Sequence, residues 1–147
     1  MKKFFEKYIY IILIVLTILF TTFVTFSYRT DNNDGLWNFA NTYKMYNGGI
    51  IYNDNNVIIT PLFFDIGLII FKILGVNLFV FGIYNILIWT VWIILVFKLF
   101  LTLEMKKTTA WIMSIIILFS QFQIIAGGAN YNVLVMVFVT LRYNFSH

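Results

Sequence analysis

Long charge-free runs alternate along this chain with short polar stretches. From Tyr8 to Tyr28 no residue is charged, and Lys2, Lys3 and Lys7 stand just before the run. A bilayer core of about 30 Å takes roughly 20 helical residues, so this segment is long enough to span. A secretory signal peptide has a shorter apolar region and a small-residue cleavage site, and no A-x-A-like pattern occurs in Phe20 to Tyr28. The run predicts an uncleaved anchor.

Residues 29–60 change character, with Asn and Asp clusters and Gly48-Gly49. Leu36, Phe39, Ala40, Tyr43 and Tyr46 recur at helical spacing, Asn33 or Asp34 is placed to cap the start, and Gly48 to end it. A short helix on the membrane surface is the expectation. Thr60-Pro61 then reads as an N-cap and first helical residue, with Gly75 just past the C-terminus. At about 1.5 Å per residue, a helix from Pro61 to Leu74 reaches roughly 21 Å and falls short of the hydrocarbon core. With Asp65 and Lys72 on one side, it reads as an interfacial helix.

Phe79 to Phe97 is the second uncharged run of spanning length, followed by Lys98, Glu104, Lys106 and Lys107. Thr108 to Leu141 is again uncharged but is interrupted by Gly127-Gly128-Ala129-Asn130. The predicted spans are 8–28, 79–101 and 109–126, with an outer loop at 29–78. Tyr131 to Leu141 is a partial span, too short to cross before Arg142. If the N-terminus and the loop after Phe97 are cytoplasmic, Lys2, Lys3, Lys7, Lys98, Lys106 and Lys107 lie inside, and only Arg29, Lys44 and Lys72 lie outside. One more crossing at Pro61 to Leu74 would invert the Lys106-Lys107 pair, so charge and length give the same topology. The expected fold is all-α, with polytopic transmembrane helices and an outer loop carrying a surface helix and an interfacial helix.

Composition agrees: the 147 residues are 61% hydrophobic and 11% charged, with mean hydropathy +0.89. Soluble domains have about 45–50% apolar and about 25% charged residues. The chain has no Cys and one His, His147, so disulfides, thiol chemistry and His-based metal clusters are excluded. The net charge of +4 comes from Lys and Arg scattered between apolar runs, which argues for topology and against nucleic acid. Tyr8, Tyr10, Tyr28 and Trp111 fall near expected interfaces, whereas Trp89 and Trp92 lie deeper and read as packing residues.

Candidate chemistry concentrates in the outer loop, in Asp31, Asp34, Asp54 and Asp65. A carboxylate there can bind a cation or take a proton from a hydroxyl. Each also has a structural reading: Asp34 as a helix cap, Asp31 and Asp54 as turn residues, Asp65 as a partner of Lys72. Gly127-Gly128 reads as a loop between helices, and Asn144-Phe145-Ser146 as a chance glycosylation triplet.

The order of short motifs carries more. Asp34-Gly-Leu-Trp-Asn-Phe-Ala-Asn-Thr-Tyr-Lys-Met-Tyr-Asn-Gly-Gly, then Ile51-Tyr-Asn-Asp, Ile59-Thr-Pro-Leu-Phe-Phe and Phe71-Lys-Ile-Leu-Gly follow one another, with Ala129-Asn-Tyr-Asn later. This series resembles the first outer loop of C-type glycosyltransferases, the superfamily of protein O-mannosyltransferases and aminoarabinose transferases. The resemblance implies a sugar donor on polyprenyl phosphate, drawn from the membrane lipid phase. Asp34 would be the catalytic base on the acceptor hydroxyl or a ligand of a divalent cation. Lys44, Tyr52, Asp54 and Lys72, on the matching motifs, would contact the substrate.

By that resemblance the chain is the N-terminal, truncated portion of a larger membrane enzyme, and it needs a missing C-terminal portion or partner chain for activity. The alternative is a small non-catalytic membrane protein that binds a lipid-linked substrate or a partner protein. A transporter is disfavoured, since no expected span carries a charge near its middle.

Overall fold

The computed structural model describes residues 2–27, 33–53 and 61–145. They form an all-helical bundle, without β-strands among the described residues. Its helices are α1 (Lys2–Ser27), α2 (Asn33–Tyr46), α3 (Leu62–Leu74), α4 (Leu78–Thr102), α5 (Lys107–Ser120), α6 (Phe122–Ala126) and α7 (Tyr131–Phe145). Two stretches, Tyr8–Ser27 and Leu78–Thr102, are long and apolar enough to cross a membrane.

α4 is the central helix, packed against α1, α3, α5 and α7, and the pair α2–α3 lies across one end of the bundle. The core is contributed mainly by α4, with Trp89, Ile93 and Phe97 fully buried and Trp89 meeting Trp92 edge-on at 5.3 Å. Both tryptophans are therefore packing residues, as their positions suggest.

Large apolar side chains line the outward faces of α1 and α5. α1 buries a stripe of Ile9, Leu13, Thr17, Thr21 and Val24, while Ile11, Val15, Leu19 and Phe23 are exposed. The buried hydroxyls bond within the helix, Thr17 Oγ1 donating to Leu13 O at 2.8 Å and Thr21 Oγ1 to Thr17 O at 2.7 Å. α5 repeats the pattern, with Ala110 and Ser114 inside and Ile112, Ile116 and Phe119 outside.

Local signals set most helix ends. α2 closes in a Schellman motif: Gly49 N–H donates to Lys44 O (2.9 Å) and Gly48 N–H to Met45 O (3.0 Å), with Gly48 at φ 92°. Gly75, at φ 86°, ends α3 and donates to Phe71 O. The start of α3 differs by one residue from the sequence reading: Pro61 is the cap, and its carbonyl accepts from Phe64 and Asp65 N–H. At α4, the Val80 N–H donates to Asn77 Oδ1 at 2.8 Å.

Two elements depart from expectation. Residues 109–126 read as one helix but form two, α5 and α6, broken at Gln121. Ser120 Oγ donates to Ile117 O and the Gln121 N–H is shared between Leu118 O and Phe119 O, which tightens and ends the turn. The last helix does not stop before Arg142. It runs on to Phe145, where Asn144 Nδ2 donates to Leu95 O on α4 at 3.2 Å and to Thr140 O at 2.9 Å.

Candidate functional site

The α2–α3 pair is built around aromatic rings. Phe39 meets Phe71 and Phe81 edge-on, Phe63 packs on Phe64 and Tyr84, and Tyr84 donates its hydroxyl to Phe63 O at 3.0 Å. The helices run side by side in the same direction, because Trp37 lies by Phe64, Thr42 by Gly67, and Tyr46 by Phe71. Gly67 lies at that crossing, where a Cβ would meet the Thr42 side chain at 3.0 Å and oblige it to shift by a few tenths of an ångström.

This parallel arrangement sorts the charges. Asp34 and Asp65 sit in the first turns of α2 and α3, and Lys44 and Lys72 in the last turns, all four exposed. Each acid complements the positive end of its helix dipole and each lysine the negative end. The candidate residues are thereby divided, not gathered. Asp34 and Lys44 are ten positions apart on one helix, roughly 15 Å along its axis. Lys44 and Lys72 share the opposite end of the pair. Tyr52, just beyond α2, is exposed and has φ 70°, a left-handed backbone that bulky residues rarely adopt. Asp54, Arg29 and Asp31 lie outside the described residues.

The acid end of the pair is the one fixed to the bundle. Gly35, next to Asp34, lies against the turn that follows α6: a Cβ at position 35 would overlap the Gly127 carbonyl and come within 3.4 Å of Gly128 Cα. One turn on, the buried Asn38 donates from Nδ2 to Ala129 O at 3.0 Å. Below, Asn85 of α4 donates to Ile125 O and to Thr25 Oγ1, both at 3.0 Å. Asparagine side chains thus tie the turn 127–130 to α2 above, and α4 to α6 and α1 below. The sequence gives no sign of Asn38 and Asn85 as junction residues, because an asparagine's role in a helix depends on contacts 91 and 40 positions away.

Among the described residues no group of three or more His, Asp or Glu side chains assembles to hold a metal ion. Comparisons with family models, curated proteins and solved structures find no match to this chain.

Proposed function

We propose that the chain is a multi-pass membrane protein of the glycosyltransferase type, with the α2–α3 pair on the outer face and the turn at Lys106-Lys107 in the cytoplasm. The membrane reading is supported by the large apolar side chains exposed on α1 and α5. Water does not favour so many large aliphatic and aromatic side chains outside, whereas helices in lipid expose them and pack partly through small residues such as Ala110 and Ser114. The orientation is supported by the surplus of lysines at the N-terminus and after α4.

In this reading the chain acts on a sugar carried by polyprenyl phosphate, and the observation that carries it is the placement of Asp34. An exposed carboxylate beside a glycine locked onto the bundle has a fixed position at the membrane surface. It is suited to accept the proton of an attacking hydroxyl on a glycan or protein acceptor. Lys44 and Lys72, gathered at the other end of the pair, are suited to the phosphate of the donor but lie too far from Asp34 to clamp one reacting centre. Asp34 is read as that base, or as a ligand of a divalent cation. Sugar transfer also needs walls that hold both substrates in line, so the chain by itself is expected to be inactive in lipid.

The test is replacement of Asp34 by Asn in the cell that makes the protein, with surface glycans and glycoproteins read by mass spectrometry. Loss of a general base lowers transfer about 10²- to 10⁴-fold. Unchanged glycosylation with normal membrane insertion contradicts the catalytic role and leaves the non-catalytic binding reading. Turnover of radiolabelled polyprenyl-phosphate sugars by the purified chain alone would contradict the need for further parts.

A further inference from the structure

At the end of the bundle remote from α2 and α3, the closing turns of α4 and α7 and Tyr10 of α1 surround an open cleft of about 370 Å³. Leu95, Leu101 and Leu141 form apolar walls, and Lys98 projects into the same space. The frame is held in place. Asn144 bridges from α7 to Leu95 O on α4, and the Tyr10 ring meets Phe97 edge-on at 4.9 Å.

Lys98 is exposed and lies four residues before the end of α4, roughly 6 Å along the axis. In a helix of spanning length that is the level of the lipid head groups. Among the described residues no acidic side chain lines the cleft. Tyr10 adds a phenolic donor to the same lining.

We propose that this cleft binds one anionic phospholipid, its phosphate on the Lys98 ammonium and an acyl chain along the leucine walls. Charge and apolar surface together select this occupant. A free phosphate would meet a single lysine above a hydrocarbon wall, and a zwitterionic lipid would bring its own cation next to Lys98. The proposal rests on the membrane reading and is independent of the transferase reading.

The experiment is native mass spectrometry of the full chain released from vesicles of mixed phosphatidylglycerol and phosphatidylcholine. The wild type is expected to retain one phosphatidylglycerol in preference to phosphatidylcholine. Lys98→Gln should lower that retention about fivefold, the effect of one lysine at an anionic surface. Lys106→Gln, an exposed lysine outside the cleft, should leave it unchanged. Leu141→Trp, which narrows the cleft, should reduce retention of both lipids. Equal retention by Lys98→Gln and wild type overturns the proposal, as does equal retention of the two lipids or displacement by millimolar inorganic phosphate. Failure of the chain to enter vesicles would overturn the membrane reading itself, and that result is distinct from a loss confined to Lys98.

Discussion

Gly35 of α2 and Gly127 at the end of α6 meet backbone to backbone, with no room for a methyl group between them. The contact joins residues far apart in sequence and seats the acid end of the α2–α3 pair on the bundle. Overpacking typically costs about 1–3 kcal/mol, and an obstacle made of backbone yields least. Gly35→Ala is therefore expected near the top of that range. Gly48→Ala is the control: its Cβ would meet nothing, and only the left-handed backbone is strained, at about 1–2 kcal/mol. Denaturation midpoints in detergent micelles measure both. Equal midpoints for Gly35→Ala and wild type would show that the helix is not seated there.

Tyr84→Phe removes one hydroxyl from the aromatic cluster and nothing else. Its bond to Phe63 O joins α3 to α4, so the variant should lose about 1 kcal/mol, with hydrogen exchange rising in α3 more than in α5. A uniform change over the whole chain would contradict the local tie.

Asn85 donates at once to Thr25 of α1 and to Ile125 of α6, while its Oδ1 is buried without a hydrogen-bond partner. Asn85→Leu loses both donors but also removes the unpaired oxygen. The net loss should be modest, about 1 kcal/mol, in line with polar ties inside membranes. Asn85→Asp replaces a donor by a second acceptor facing a carbonyl and should lose more. Thermal unfolding of the two variants side by side checks the order, and a more stable Asp variant would contradict it.

What was legible in the sequence was what one-dimensional patterns encode. The charge-free runs mark α1 and α4 because length without charge is itself the signal. Gly48 and Gly75 mark the ends of α2 and α3 because only a left-handed turn is needed there. The break at Gln121 was not legible, since Ser120 and Gln121 are polar but compatible with a continuing helix. Nor was the extension of α7 past Arg142. A charge usually ends a span, yet here Asn144 finds Leu95 O across the helix interface. For the candidate site, the residues were legible as types, but not their separation. Only the parallel packing of α2 and α3 reveals that Asp34 and the two lysines occupy opposite ends of the pair.

In the proposed topology the two ends of the bundle face opposite sides of a membrane. The chain has no Cys, so single cysteines report without background. Asn47, exposed just beyond α2, and Lys107, at the start of α5, each replaced by Cys in intact cells, should differ in their reaction with a membrane-impermeant maleimide. Asn47→Cys should be labelled at once and Lys107→Cys only after the membrane is opened. Labelling of both positions from outside would make α3 a crossing helix, put the Lys106-Lys107 turn on the same face as Asp34, and contradict the proposed topology.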